Sequence, residues 1–163
     1  MPAPVLAAIW GPETDYGTNQ GRFSVIRSVA TLAHDCRRAD KFREELLDAL
    51  RIVERGDMVP VELRGNWAGE IGQTQFLPSS DLKFAVEFDR NGKRNLIHSA
   101  PDALASTANY LKGYGWHRGE PWSEGSGSFN VLLEWNKARV YAKTIAYAKT
   151  IAAFAERVAA SSR

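Results

Sequence analysis

Residues 65–80, GNWAGEIGQTQFLPSS, are the stretch on which the interpretation of this chain depends. The glycines Gly65, Gly69 and Gly72 permit tight backbone turns and the close approach of a ligand. Neutral amides, a hydroxyl and an indole lie between and beside them: Asn66, Trp67, Gln73, Thr74 and Gln75. These groups suit a sugar, because they hydrogen-bond hydroxyls and offer an apolar plate. We predict that this segment, the glycine-rich wall, binds carbohydrate; the alternative is a loop whose polar residues satisfy only their own backbone.

The overall composition is that of one ordinary globular domain. The chain has 163 residues, of which 44% are hydrophobic and 25% are charged. Its net charge of +2, with basic residues scattered among acidic ones, gives no indication of a nucleic-acid partner. Cys36 is the only cysteine, so an internal disulfide is excluded and a free, buried thiol is expected.

The start of the chain carries no membrane or export pattern. No run reaches the roughly 18 to 20 apolar residues of a transmembrane segment, and MPAPVLAAIW lacks the basic region of an export signal. Residues 4–10 have the pattern of the last two turns of a helix, which predicts an N-terminus shortened relative to a longer ancestor.

A glutamate close to the start has the surroundings of a general acid. In WGPETDYG, residues 10–17, a helical pattern ends and Glu13 follows the apolar Ile9 and Trp10. Desolvation by such neighbours disfavours the charged carboxylate and raises its pKa toward neutrality. The alternative is an exposed carboxylate at a helix end. Glu70, the only carboxylate inside the glycine-rich wall, is the rival acid.

Apolar periodicity predicts several helices. Two cover residues 23–34 and 37–54, and the second has a buried stripe that we expect to contain Phe42, Leu46, Ala49, Leu50 and Val53. A short helix is predicted from Pro78 to about Phe84, and another over 99–115. Residues 131–158 are predicted as one long helix, in which YAKTIA occurs at 141–146 and again at 147–152. Six residues turn a helix through about 600°, so one copy is expected to pack and the other to be partly exposed.

A second motif has the spacing of a calcium-binding loop. In EFDRNGKRN, residues 87–95, oxygen-bearing side chains alternate with other residues and a glycine is sixth. The twelfth position, where an acid is usual, holds His98, and Asp102 is the nearest substitute carboxylate. The alternative is that D-x-N-G is a favourable turn sequence.

In this order, the motifs resemble those of the lytic murein transglycosylases of the membrane-bound B type. The resemblance covers nearly the whole chain, through WGPETDYG, NWAGEIGQTQFLPSS, FAVEFDRNGKRNL, PDALASTANYLKGYGW and LLEWNKARVYA. It implies an α+β, mostly α fold with a lysozyme-like core and a small inserted loop or β subdomain. It also implies one catalytic domain over 1–163, without the family's N-terminal helical region, with an EF-hand-like loop at 84–98.

The resemblance assigns roles to individual residues. Glu13 matches the family's sole catalytic acid/base, Gln75 its glutamine in Q-F-x-P-S, and Asn136 a late asparagine that holds substrate. Asn66 stands where the family often has serine, and the remaining candidate sugar contacts are Trp67 and Gln73. Calcium ligands are implied at five positions: Glu87, Asp89, Asn91, the carbonyl of Lys93, and Asp102.

The implied activity is cleavage of the β-1,4 bond between N-acetylmuramic acid and N-acetylglucosamine, with formation of 1,6-anhydro ends. No cofactor is needed for that chemistry, and a structural calcium ion is the one candidate metal. The expected partner is a peptidoglycan strand, the expected state a monomer, and the expected location the periplasm or cell wall. The alternatives are a muramidase that hydrolyses the same bond and a truncated chain that binds glycan without cleaving it.

Overall fold

Residues 1–148 are described by a computed structural model, in which the chain forms two compact units. One unit is Trp10–Tyr110, and the other combines Met1–Ile9 with residues 111–148 of the described part of the chain. The expected organisation as one domain stays a prediction, and each unit is described by itself.

The described part of the chain is mostly helical, as predicted. Its helices are α1 (Ala3–Thr14), α2 (Val25–His34), α3 (Ala39–Glu54), α4 (Pro78–Phe84), α5 (Ala100–Gly113) and α6 (Gly127–Trp135). Two short strands, β1 (Phe23–Ser24) and β2 (Arg64–Gly65), pair antiparallel, with Phe23 opposite Gly65 and Ser24 opposite Arg64. No helix within residues 1–148 is both long enough and apolar enough to cross a lipid bilayer.

Helix α1 continues through Gly11 and Pro12 and ends at Thr14. The chain then leaves helical geometry, because Asp15 and Tyr16 have φ angles of 51° and 55° and Gly17 follows with 86°. Glu13 therefore lies in the last turn of a helix, which confirms that part of the prediction.

Helices α2 and α3 build the core of the Trp10–Tyr110 unit. Ser24 caps α2 by accepting a hydrogen bond from the Arg27 amide at 3.4 Å. The predicted stripe on α3 is partly wrong, because Leu50 is 47% exposed. The buried positions of α3 are Phe42, Glu45, Ala49 and Ile52.

The glycine-rich wall continues directly from β2. Isolated bridges join Gly65 to Ile71 and Ile71 to Phe76, so the segment folds back on itself twice. The wall ends in α4, which begins at Pro78 and ends at Phe84 as predicted.

In the other unit, the prediction of one helix over 131–158 is wrong. Helix α6 is capped by Ser126, whose Oγ accepts from the Phe129 amide at 3.1 Å, and it ends at Trp135. The chain is helical again at 139–148. The first YAKTIA copy lies there, with Ala142 and Ile145 fully buried, whereas most of the second copy lies outside the described residues.

Cys36 lies in the connection between α2 and α3. The expectation of a buried thiol is wrong, because this cysteine is exposed.

Candidate functional site

The glycines of the wall are needed for contacts within the protein. At Gly69, which has φ +83°, an added Cβ would lie 2.3 Å from Cγ1 of Val29. At Gly72, with φ +76°, it would lie 2.4 Å from the carbonyl oxygen of Leu96. The expectation that these positions leave room for a ligand is therefore wrong, since the space is filled by α2 and by the 84–98 loop.

The end of α1 is fastened to this wall. Thr14 is 1% exposed, and its hydroxyl donates to the carbonyl oxygen of Gln73 at 2.5 Å while accepting from the amide of Gly17 at 3.0 Å. Glu13, the preceding residue, is half-buried. The structure thus joins the predicted acid to the predicted sugar-binding segment, although the two are far apart in sequence.

Aromatic residues flank Glu13 along the chain. Trp10 lies one helical turn before it and Tyr16 three residues after it, and the two rings meet edge to face with centroids 5.5 Å apart. The indole that sequence analysis placed near Glu13 is therefore part of a packed aromatic pair at the helix end.

Residues 17–20 continue along the wall. The side-chain Nε2 of Gln20 donates to the carbonyl oxygens of Gly17 at 2.9 Å and Ile97 at 3.0 Å. The carbonyl oxygen of Gln20 in turn accepts a long contact of 3.5 Å from Nε2 of Gln75. Gln20 and Thr14 were not among the predicted site residues, and their only signal in the sequence is their position in and just after the E-T-x-x-G motif.

Asn66, Glu70 and Gln75 form one hydrogen-bonded cluster on the wall. Nδ2 of Asn66 donates to Oε2 of Glu70, and also to Oε1 of Gln75 at 2.8 Å. Gln75 has a left-handed backbone, with φ 57°, and its Nε2 donates to the Gly72 carbonyl at 2.9 Å. The structure therefore brings together two of the predicted sugar-binding amides and the rival acid.

Gln73 and Trp67 have opposite environments. Gln73 is 7% exposed, and its Nε2 donates to the carbonyl oxygen of Ile97 at 3.2 Å, which favours a structural role. Trp67 is 69% exposed and borders an open groove of about 550 Å³ together with Phe23 and Arg27. Both residues stay predictions as sugar contacts.

Asn136 belongs to the unit that contains α6. It is the C-terminal cap of that helix, and its Oδ1 accepts from the amide of Ala138 at 3.0 Å. Its predicted contact with substrate stays a prediction.

The C-terminal end of the wall is held by buried charged groups. Glu45 of α3 is 5% exposed and accepts from both the amide and the hydroxyl of Ser79, at 2.9 and 2.8 Å. Asp81 is 2% exposed and pairs with Arg55 at 2.7 Å, and Arg55 also pairs with Asp57. Burial raises the pKa of Asp81 in spite of Arg55, because the charged carboxylate is desolvated.

The carboxylates among the predicted calcium ligands, Glu87, Asp89 and Asp102, do not form a metal-binding group. Among residues 1–148, no three His, Cys, Asp or Glu side chains are grouped so as to hold a metal ion. Asp102 is fully buried, and its oxygens accept from the amides of Phe88 at 2.7 Å, Asp89 at 3.2 Å and Asn95 at 2.9 Å. The carboxylate of Asp102 thus organises the loop by binding its backbone N–H groups, and this arrangement does not fit the predicted calcium site.

Two side chains complete this arrangement. Asp89 accepts the Ser99 hydroxyl at 2.7 Å, and Asn91 accepts the Lys93 amide at 2.9 Å. Gly92, with φ +84°, turns the chain between them. These are the contacts of a turn sequence, which was the alternative that the sequence left open.

Comparison with known proteins identifies the family. Residues 1–125 match the model of the transglycosylase SLT domain. The chain is 36% identical over 121 residues to the membrane-bound lytic murein transglycosylase B of Escherichia coli K12, and the match covers 74% of this chain and 33% of that protein. The chain thus spans about a third of the length of this curated relative.

Solved structures agree. SltB3 of Pseudomonas aeruginosa, crystallised in complex with NAG-anhNAM-pentapeptide, is 32% identical with a TM-score of 0.84, over 90% of this chain and 55% of that one. Slt35 of Escherichia coli, solved in complex with calcium, is 24% identical with a TM-score of 0.85, over 95% and 67%. The second likeness concerns the fold alone. With most of its length covered by the family model, the chain belongs to the transglycosylase SLT domain family.

Proposed function

We propose that this chain is a lytic transglycosylase that cleaves the β-1,4 bond between N-acetylmuramic acid and N-acetylglucosamine in peptidoglycan. The observation that carries the proposal is the 2.5 Å hydrogen bond from Thr14 to Gln73, which fixes the helix end bearing Glu13 on the glycine-rich wall. Membership of the family and the peptidoglycan fragment bound by SltB3 support the same substrate.

In this proposal Glu13 is the sole acid and base. It first protonates the glycosidic oxygen, so that the bond to the leaving N-acetylglucosamine breaks while the 2-acetamido carbonyl of the muramoyl sugar stabilises the anomeric carbon. The resulting carboxylate then takes the proton of the C6 hydroxyl, whose oxygen bonds to the anomeric carbon. A 1,6-anhydro ring forms, Glu13 is protonated again, and no water is consumed.

The other parts of the proposal follow from the same substrate. Gln75 and Asn136 hold polar groups of the glycan and Trp67 offers a sugar plate. The chemistry uses no cofactor. The chain acts as a monomeric catalytic domain on glycan strands in the periplasm or cell wall.

Turbidity of purified cell-wall sacculi tests the activity. We expect the chain to clear the suspension, and Glu13→Gln to lower the rate at least about a hundredfold, because a general acid contributes at least that much. Glu44→Gln, an exposed change on α3, is the matched control and should clear normally.

The mass of the released fragments separates the possible reactions. Anhydro ends are one water lighter than hydrolysed ends, so hydrolysed products would identify a muramidase. Equal, negligible clearing by the unmodified chain and by Glu13→Gln would contradict the enzymatic proposal. It would favour a chain that binds glycan without cleaving it.

A further inference from the structure

The carboxamide of Asn66 has no hydrogen-bonding capacity left for a ligand. Its Nδ2 donates to Glu70 and to Gln75, and its Oδ1 accepts from the backbone amides of Ala68 at 2.9 Å and Glu70 at 3.1 Å. A carboxamide offers two N–H donors and two acceptor positions on oxygen, and all four are used here. All the hydrogen bonds of the Asn66 side chain are therefore made within the wall, which they stabilise.

Gln75 is nearly as fully engaged. Both of its N–H donors are directed at carbonyl oxygens, that of Gly72 at 2.9 Å and that of Gln20 at 3.5 Å. Its Oε1 accepts from Asn66, which leaves one acceptor position free. A new donor contact from Gln75 to a ligand would break one of these bonds.

Glu70 is the member of the cluster with unused capacity. Its Oε2 accepts from Asn66, whereas its Oε1 takes part in no hydrogen bond among residues 1–148. The side chain is half-buried, and an ionised carboxylate has about four acceptor sites. One carboxylate oxygen of Glu70, Oε2, is therefore held by the protein, and the other, Oε1, is available to a ligand.

We propose that Glu70 also contacts the glycan from this cluster, beside the one acceptor position that Gln75 keeps free, as an acceptor for an O–H or acetamido N–H donor of a sugar. Asn66 is a positioning residue that orients the Glu70 carboxylate and does not itself touch the sugar. The inference rests on the proposed function for the identity of the ligand, and it gives Glu70 a binding role while the proton transfer stays with Glu13.

Binding measured in the Glu13→Gln background tests this without interference from cleavage. The probe is the tetramer of N-acetylglucosamine, titrated calorimetrically into the full chain. Glu70→Ala should weaken binding at least about tenfold, because a hydrogen bond to a charged group exceeds the 1.4 kcal/mol that corresponds to tenfold.

Glu70→Gln should weaken binding to a similar degree. Its single side-chain oxygen would be taken by Asn66 Nδ2, so its NH₂ group would face the donor on the sugar. The matched control is Glu62→Gln, an equal charge change at an exposed position just before the wall. It should bind like the parent, which is the chain that carries only Glu13→Gln.

A double-mutant cycle tests the positioning role of Asn66. If Asn66 acts through Glu70, Asn66→Ala should weaken binding in the parent but have little further effect when Glu70 is already alanine. A purely structural role would weaken binding equally in both backgrounds. Melting temperatures of all variants show whether each is folded.

Two results would overturn the inference: tight binding by Glu70→Ala, or no binding of the tetramer by the parent at millimolar concentration. In the chain with Glu13 intact, Glu70→Ala should raise KM more than it lowers kcat, whereas a proton donor would lower kcat. Sacculus clearing by the unmodified chain is measured separately. A chain that binds through Glu70 but does not clear sacculi would refute the proposed activity and leave this inference standing.

Discussion

Gly69 and Gly56 share a backbone conformation but differ in their surroundings. Both have φ of +83°, yet an added Cβ would meet Val29 at 2.3 Å at the first position and nothing within 4 Å at the second. The left-handed conformation costs a non-glycine residue about 1–2 kcal/mol at either position. Only at Gly69 does a steric clash with α2 add to this, so the two glycines separate conformational from packing requirements.

Replacing each glycine by alanine measures the conformational cost alone at Gly56, and the conformational cost together with the steric clash at Gly69. We expect Gly56→Ala to lower the free energy of unfolding by about 1–2 kcal/mol and Gly69→Ala by about 2–5 kcal/mol, because overpacking typically costs a further 1–3 kcal/mol. Urea denaturation of both variants gives the difference. Equal losses would show that the wall accommodates a methyl group against Val29.

At the scale of secondary-structure elements, buried charges fix α4 against α3. Helix α4 has only seven residues. Its N-cap residue, Leu77, has no side chain that could accept a hydrogen bond from the first amides of the helix. Glu45 of α3 takes that role by accepting from Ser79, and Arg55 at the C-terminal end of α3 pairs with Asp81. The wall is thus held at its end by a neighbouring helix.

The raised pKa of Asp81 predicts a pH dependence of stability. Its pKa in the native state lies above the ordinary value of 3.8, mainly because of burial, so the native protein binds more protons than the unfolded chain in this interval. The contribution of Asp81 to stability is therefore greatest below pH 3.8 and is lost as the pH rises through the native pKa. Relative to Asp81→Asn, the unmodified protein should lose stability as the pH rises.

Urea denaturation over this pH range gives the difference in unfolding free energy between the two proteins. Asp40→Asn, at an exposed position in the first turn of α3, is the control and should show no comparable trend. If the unmodified protein instead gained stability relative to Asp81→Asn as the pH rises, attraction to Arg55 would outweigh burial.

At the scale of the whole molecule, the Trp10–Tyr110 unit contains Glu13, the glycine-rich wall and the 84–98 loop. An ion bound only by the folded loop would stabilise this unit by about 2.7 kcal/mol at a hundred times its dissociation constant. Because Asp102 already accepts from three backbone amides of the loop, no such ion is needed to order it.

We therefore expect the same melting temperature in millimolar calcium and in chelator. Asp102→Ala should lower it in both conditions, since the part-buried amides of Phe88, Asp89 and Asn95 would lose the carboxylate that accepts from them. A rise with calcium that is lost in Glu87→Gln would contradict this. It would point to Oε1 of Glu87, which is buried without a hydrogen-bond partner in the described part of the chain.

The sequence predicted what depends on local pattern. The helix end at Glu13, the start of α4 at Pro78 and most helix positions follow from periodicity and from the fixed φ of proline. The burial of Glu45 was not predicted, because it depends on Ser79, which is 34 residues away. The break after Trp135 was missed, since the apolar pattern continues across it and Asn136 is the only capping signal.

The candidate site was predicted as residues but not as geometry. Motifs named Glu13, Asn66 and Gln75, whereas the number of free donors and acceptors on each side chain depends on partners that only the folded chain supplies. The burial of Gln73 and the exposure of Trp67 likewise depend on which way each side chain of a glycine-rich segment turns, and such a segment has no periodicity to indicate it.

The contact between Thr14 and Gln73 also sets an order of events during synthesis. It joins residues 59 positions apart, so the ribosome must release the whole wall before the helix end can dock. Closing a loop of that length has an entropic cost that local helix formation does not have, which makes this contact a late one. A nascent chain that carries Glu13 therefore has no assembled site until the wall has been made, and a protein proposed to cut the cell wall is inert up to that stage of its synthesis.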